Sequence, residues 1–175
     1  DRITILKANT DVLFTDAKDG MLGLRLAHEL QIPETEDQKF SDNKGNVTII
    51  KGGTDTIRNG TYLTSEGKQG NAAWSTRGRW CKVYGRMGND SISIAIIDHP
   101  QNPNYPTFWH ARGYGLFAAN PLGEKIFTNG KSFKNLQLKK GASVTFRFRI
   151  IIADGSKTIS TEQVNQSADN FAKKN

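Results

Sequence analysis

The sequence predicts an all-β fold: an antiparallel β-sandwich, similar to the supersandwiches of carbohydrate-active proteins, with one short C-terminal helix. Three observations favour this class. Apolar and polar residues alternate along several stretches, which is the period of a β-strand. Turn signals rich in Gly, Asn and Asp separate these stretches. A segment with a helical apolar period follows near the C-terminus. We expect residues 1–175 to form a single domain, or the C-terminal portion of a longer one.

The first half of the chain contains four short stretches rich in β-branched and aromatic residues, which predict strands at 3–6, 12–14, 47–50 and 80–84. Every second residue from Leu22 to Leu26 is a leucine, which favours a further strand, with a helix over 21–30 as the competing interpretation. In the strand interpretation, Arg25 has small neighbours on its own face. It either lines a cleft or is an ordinary exposed arginine.

Two longer strands are predicted at 91–97 and 144–152. In the second, every even position is apolar, while Thr145, Arg147 and Arg149 point to the other face. Each of these strands therefore has one face suited to the interior of a sandwich.

The C-terminal helix is predicted at about residues 161–172. Ser160 and Gln163 have the spacing of a capping box at its start. Val164, Ala168 and Phe171 then form one apolar stripe, which we expect to pack on the sandwich.

Composition excludes several classes of protein. With 24 Lys and Arg against 17 Asp and Glu, the net charge is +7, yet the basic residues are spread along the chain and we expect no nucleic-acid partner. No apolar run approaches the ~18 residues of a transmembrane helix, and no signal peptide is evident in this chain. The single cysteine excludes an internal disulfide. The three histidines, at 28, 99 and 110, lack the short spacing of metal ligands, so we expect no metal site.

Residues 98–123 differ from the rest of the chain, because they contain two of the three His, four of the five Pro and one of the three Trp. Prolines at 100, 103 and 106 exclude a helix and predict an extended, stiff loop after the strand at 91–97. Stiff loops beside a rigid scaffold often carry binding or catalytic residues.

An extended conformation over 108–114 places Phe108, His110, Arg112 and Tyr114 on one face, roughly 7 Å apart. An imidazole, a guanidinium and a phenol in line suit an anionic or hydroxyl-rich ligand. The alternative is that Arg112 and Tyr114 only decorate a solvated face.

The block from Asp98-His99-Pro100 through Trp109-His110-x-Arg112-x-Tyr114-Gly115 to Asn120-Pro121 resembles a bacterial PmoA-like family of unknown function, labelled methane oxygenase PmoA. The earlier Asp19-Gly20-x-x-Gly23-x-Arg25 fits the same family, and the resemblance covers about residues 10–155. The methane monooxygenase subunit of that name is an integral membrane protein. Because this chain has no spanning segment, we expect neither methane oxidation nor copper.

The resemblance implies a β-sandwich like those of aldose epimerases and lyases, and a role in bacteria that degrade polysaccharides. It also implies that the chain is the C-terminal portion of a longer protein in the periplasm or outside the cell. The site residues that it implies are His99, His110, Arg112, Tyr114, Asn120 and Arg25.

The leading functional hypothesis is a carbohydrate-active protein, an enzyme acting on a sugar or sugar acid. His110 is then the general acid or base, and His99 the second such group if the loop folds back. Arg25 and Arg112 bind a carboxylate or hydroxyl, and Tyr114 and Trp109 provide an aromatic surface. The alternatives are a non-catalytic carbohydrate-binding module and a structural or interaction module. The sequence assigns no cofactor and no oligomeric state.

Overall fold

The computed structural model describes residues 1–174, so Asn175, the last residue of the predicted domain, lies outside it. Within these residues the protein is mostly β, with antiparallel sheets and a C-terminal helix, which confirms the predicted fold class. The strands are β1 (Arg2–Lys7), β2 (Val12–Phe14), β3 (Leu22–Arg25), β4 (Gln38–Ser41), β5 (Val47–Ile50), β6 (Thr61–Thr64), β7 (Trp80–Met87), β8 (Asp90–Asp98), β9 (Phe108–Ala111), β10 (Leu116–Asn120), β11 (Leu136–Leu138) and β12 (Ser143–Ala153). The helices are α1 (Glu124–Phe127) and α2 (Thr161–Ala172), with 3₁₀ turns at His28–Leu30 and Gly70–Ala73.

Two sheets face each other. The large sheet has the strand order β1-β12-β8-β7-β6, and the small sheet has the order β3-β10-β9. Two ribbons, β2 with β11 and β4 with β5, lie outside both sheets. None of the helices in the described residues is both long and apolar enough to cross a membrane.

The main core lies between the two sheets. The large sheet contributes Val83, Ile96 and Phe146, and the small sheet contributes Trp109 and Phe117. The inward faces predicted for β8 and β12 are confirmed at residues 92–96 and 144–148, whose even-numbered side chains point into this core. The prediction is wrong at the end of β12, where Ile152 is 72% exposed.

A second apolar layer covers the outer face of the large sheet. The stripe of α2 (Val164, Ala168 and Phe171) packs there against Trp80 and Ile97. The predicted capping box is present, since Ser160 Oγ accepts from the Gln163 N–H at 3.2 Å and Gln163 Oε1 accepts from the Ser160 N–H at 2.8 Å. The capping box thus fixes where α2 begins, and the apolar stripe holds α2 on the side of the large sheet that faces away from the small sheet.

The proline-rich loop 99–107 carries the chain from β8 of the large sheet to β9 of the small sheet. Asp98, at the end of β8, accepts hydrogen bonds from Asn102 Nδ2 at 2.7 Å and from the Thr107 N–H at 2.8 Å. Asn102 also bonds the backbone of Arg147 on β12. The prolines were predicted to give an extended loop, but residues 99–107 form a series of turns, which buried side chains hold in place.

The stretch at 22–27 is a strand only as far as Arg25, and a 3₁₀ turn follows at His28–Leu30. The strand interpretation is therefore confirmed over the helix. Arg25 is exposed, while Leu26 is buried at the start of the turn.

Candidate functional site

The residues from Phe108 to Tyr114 do not form one extended face, and the prediction that four side chains lie in line is wrong. Strand β9 ends at Ala111, and residues 112–115 turn the chain into β10. The Gly115 N–H donates to the Arg112 carbonyl at 3.0 Å, which closes the turn. Gly115 adopts a φ of +87°, a conformation that favours glycine, and this explains why the strand stops here.

The core holds this turn in place from below. The buried Tyr62 hydroxyl donates to the Arg112 carbonyl at 3.1 Å. The Ile32 N–H donates to the Gly113 carbonyl at 3.0 Å, and the Leu26 N–H donates to the Gly115 carbonyl at 2.9 Å. Because three elements fix its backbone, the turn presents its side chains in a defined position.

A cavity of about 330 Å³ opens beside the turn, and we call it the Arg112 cavity. Four separated segments form its wall. The principal lining residues are Ile32, Arg58, Asn71, Trp74, Arg112 and Tyr114.

Arg112 is stacked against aromatic rings in this cavity. Its guanidinium carbon lies 5.2 Å from the centre of the Trp74 ring and 5.7 Å from that of Tyr114. Arg25 approaches the same Tyr114 ring at 5.7 Å, and Tyr114 is 48% exposed. Three of the predicted site residues, Arg25, Arg112 and Tyr114, are therefore brought together.

The arginines at the cavity differ from those that hold the scaffold. Arg77, Arg79 and Arg149 each donate side-chain hydrogen bonds to several groups of the protein. Within residues 1–174, Arg25 and Arg112 donate no side-chain hydrogen bond and form no ion pair with a carboxylate. Their donor groups are therefore available to a ligand.

Arg58 was not predicted as a site residue, yet it lines the same cavity. Its Nε lies 2.7 Å from Asp55 Oδ2, and His28 Nε2 lies 2.7 Å from the same oxygen. In the sequence, Arg58 stands in an ordinary Arg-Asn-Gly turn signal more than fifty residues from Arg112, so no local pattern indicates its role. Trp74 also lines the cavity, and no local sequence pattern indicates its role either.

His110 lies close to the turn but does not line the cavity. It is 1% exposed, and its ring packs edge-on to Phe127 with the ring centres 6.0 Å apart. Its Nδ1 is buried 3.8 Å from Asp19 Oδ1 and has no hydrogen-bond partner in the described part of the chain. Burial lowers the pKa of His110 from 6.5, more than the Asp19 charge raises it, so the imidazole is neutral at pH 7.

His99 belongs to a different part of the molecule. It is fully buried, and its Nε2 lies 3.1 Å from the Phe171 carbonyl and 3.0 Å from that of Lys174. The Gln101 N–H donates to Nδ1, so Nε2 carries the proton and donates to these carbonyls. His99 thus anchors the end of α2, and the loop does not fold back to bring it beside His110.

Trp109 and Asn120, both predicted to contact a substrate, are fully buried. Trp109 belongs to the main core, and its Nε1 donates to the Gly78 carbonyl at 3.1 Å. Asn120 Nδ2 donates to the carbonyls of Ala17 and Lys18, at 2.9 and 2.7 Å. Neither side chain reaches the Arg112 cavity in this structure, because packing and backbone hydrogen bonds occupy both.

Among the described residues, no group of three or more His, Cys, Asp or Glu side chains is placed to hold a metal ion. The charged group that faces the cavity without a hydrogen-bond partner in the described part of the chain is the Arg112 guanidinium, which is a donor. Arg112 lines the cavity, whereas Arg25 lies outside its lining and approaches the Tyr114 ring. Such an arrangement suits a ligand rich in oxygen acceptors.

Comparison with known proteins gives one match to a family model. The model describes a family of unknown function (DUF6807), and it matches residues 1–169. No curated protein and no solved structure matches the chain.

Proposed function

This chain belongs to a family of unknown function (DUF6807), and we propose that it binds a carbohydrate in the Arg112 cavity. One observation carries the proposal: Arg112 lies against the rings of Trp74 and Tyr114 in a cavity, with none of its donors bonded to the described protein. The carbohydrate class comes from the resemblance to PmoA-like proteins, which is itself part of the proposal.

The chemistry of the cavity supports a ligand with both apolar faces and oxygen atoms. Aromatic rings such as Trp74 and Tyr114 pack against the C–H faces of a sugar. The Arg112 guanidinium has a planar fork of donors for hydroxyl or carboxylate oxygens. The volume of the Arg112 cavity, about 330 Å³, is at the small end of the range of roughly 300–1,000 Å³ for ligand pockets, which favours a short saccharide.

A non-catalytic binding role has the stronger support, because the histidines proposed for acid–base chemistry do not line the cavity. A second candidate is an enzyme that acts on a sugar or sugar acid. It is favoured by His110, whose buried Nδ1 has no hydrogen-bond partner among the described residues and lies 3.8 Å from Asp19 Oδ1. Such a neutral imidazole is able to accept a proton from a substrate that reaches it.

Proton NMR of the protein with a panel of neutral sugars, uronic acids and oxidised sugars tests both candidates. We expect ligand signals to broaden with the wild type and with Arg2→Ala, an exposed arginine on the edge strand β1. We expect the broadening to be lost with Arg112→Ala. Spectra followed over hours detect conversion as well as binding.

The outcomes separate the candidates. Broadening without new product signals supports the binding role. Product signals that disappear in His110→Ala, but not in Arg2→Ala, support the enzyme. An Arg112→Ala variant that binds as well as the wild type, or a panel without any broadening, overturns the proposed site.

A further inference from the structure

We infer that the Arg112 cavity selects sugars that carry a carboxylate, and that Arg58, held by Asp55, binds this group. The inference rests on the proposed function, since it names the class of ligand for the same cavity. It adds a binding residue, Arg58, and a positioning residue, Asp55.

The position of Arg58 is set by a shared oxygen. Asp55 Oδ2 lies 2.7 Å from Arg58 Nε and 2.7 Å from His28 Nε2. The side chains of Arg58 and Asp55 are only 22% and 26% exposed, so the pair is partly shielded from solvent. Asp55 is therefore held from one side by His28 while it holds Arg58 from the other.

The contact between Asp55 and Arg58 is made through Nε and leaves the two terminal Nη groups of Arg58 uncommitted. The Nε atom of Arg58 is buried beside the Asp55 carboxylate, so this end of the guanidinium is fixed by the protein. The two Nη groups donate no hydrogen bond to any group that the structure describes. An oriented guanidinium with free donors is the group that recognises a carboxylate through two parallel hydrogen bonds.

The other uncommitted groups at the cavity also favour an acid over a neutral sugar. Arg112 is a cavity-lining guanidinium that donates no hydrogen bond in the described part of the protein. A hydroxyl both donates and accepts, whereas an ionised carboxylate only accepts, so a carboxylate is the better match for the two guanidinium groups of Arg58 and Arg112. Arg25 adds a positive charge beside Tyr114. The three arginines Arg25, Arg58 and Arg112 together carry more charge than the two carboxylates of Asp55 and Glu34.

Titration of matched sugar pairs measures this selectivity. The dissociation constants of glucuronate and glucose, and of galacturonate and galactose, are compared by NMR or calorimetry. We expect the wild type to bind each acid at least about tenfold more tightly than its neutral partner, as charge-assisted hydrogen bonds predict. Arg58→Gln removes the charge and should bring this ratio close to one, because acid binding is weakened more than neutral-sugar binding.

Two further variants separate positioning from folding. Asp55→Asn keeps the size of the side chain but removes the charge that orients Arg58, and it should lower the ratio of acid to neutral binding. Arg58→Lys keeps the charge without the fork, and an intermediate ratio is expected. Arg2→Gln is the matched control and should leave the ratio unchanged. Circular dichroism and thermal unfolding establish that each variant is folded.

The outcomes distinguish this inference from the proposal on which it rests. Acid and neutral sugars that bind equally well, with binding that is lost in Arg112→Ala, overturn the carboxylate selection and leave the proposed function standing. A wild-type preference for acids that Arg58→Gln and Arg58→Lys both retain overturns the role of Arg58. Absence of binding by every sugar overturns both.

Discussion

At the scale of single residues, a side chain of the candidate site differs from one of the scaffold in how many of its hydrogen-bonding groups already have a partner in the protein. Arg77 donates to Glu124 and Asn104, whereas Arg112 stacks on two rings and donates to no described group. Charge alone does not distinguish the two residues, because both are arginines that lie over aromatic rings. The hydrogen bonds already made therefore identify Arg112 as the one that is available to a ligand.

The same distinction applies to the two histidines of the special segment. His99 uses both ring nitrogens, in contacts with Gln101 and with the end of α2. His110 leaves Nδ1 without a hydrogen bond among residues 1–174. Of these two histidines, only His110 thus has a ring nitrogen without a hydrogen bond in the described part of the chain.

Replacing His99 with Ala tests its structural contribution. The variant loses a buried ring, packed edge-on to Phe171 with the ring centres 4.9 Å apart, together with its hydrogen bonds to two carbonyls. We expect the free energy of unfolding to fall by about 2–4 kcal/mol, with ligand binding at the Arg112 cavity unchanged. Urea denaturation gives the first quantity and sugar titration the second. A variant of full stability that loses turnover would instead support the catalytic role predicted for His99.

At the scale of elements, the turn between β9 and β10 positions the site. It places Arg112 and Tyr114 at the cavity, and its backbone is bonded to Tyr62, Ile32 and Leu26. These contacts come from β6, from the segment after the first 3₁₀ turn, and from the end of β3. The turn is therefore part of the rigid scaffold, which reduces the entropy cost of ordering the site when a ligand binds.

Removing one of these contacts should affect both stability and binding. Tyr62→Phe keeps the buried ring but leaves the Arg112 carbonyl without the hydroxyl, so we expect a loss of about 0.5–1.5 kcal/mol in the free energy of unfolding. The dissociation constant for a bound sugar should rise as well, because the turn is less fixed. Tyr84→Phe on β7 is the matched control and should change neither quantity. Sugar affinity that is unchanged in Tyr62→Phe would contradict the proposed role of this hydrogen bond.

At the scale of the whole molecule, the two sheets are joined by a loop that depends on a buried carboxyl group. Burial raises the pKa of Asp98 to about 7, although hydrogen bonds from Asn102 and Thr107 act in the opposite direction. Asp98 therefore changes charge near neutral pH while it holds the connection between β8 and β9.

The sign of the pH effect follows from this raised pKa. Between the ordinary value of 3.8 and about 7, the folded chain binds more protons at Asp98 than the unfolded chain. Asp98 thus stabilises the fold most at low pH, and this contribution is lost as pH rises to about 7, by up to about 1.4 kcal/mol per pH unit. The lowered pKa of His110 has the opposite effect, since it favours the fold as pH rises.

The comparison with Asp98→Asn isolates the carboxyl group, because His110 is the same in both proteins. The amide resembles the protonated carboxyl in having one donor group and one acceptor oxygen. We expect the free energy of unfolding of the wild type, relative to the variant, to decrease from pH 5 to pH 7. Denaturant titrations across this range measure it. A difference that does not vary with pH would show that Asp98 does not titrate there.

Local patterns predicted much of the fold but not all of its strands. The alternation along β8 and β12 predicted their buried faces, and the capping box and apolar stripe predicted α2. The predictions omitted β4, β6, β10 and β11, which are short. Their residues form strands because they pair with neighbouring strands, and a short stretch of sequence does not show which strands those neighbours are.

The candidate site was predicted only in part, for the same physical reason. Arg25, Arg112 and Tyr114 were found from the sequence and lie together, but Arg58 and Trp74 were not predicted. Trp109 and Asn120 looked like ligand contacts and are fully buried. An aromatic or polar side chain in a motif has the same appearance in the sequence whether it faces a cavity or the core.

The sequence by itself determined the fold class, the amphipathic faces of the main strands and the position of the C-terminal helix, because each depends on residues near one another in the chain. Only the tertiary structure decided which side chains meet. It brought Arg58, Trp74 and Arg112, three residues from separate segments, to one cavity, and it placed His99 beneath α2. Contacts between distant segments arise from the packing of whole sheets, and the burial and hydrogen bonding of each residue follow from that packing.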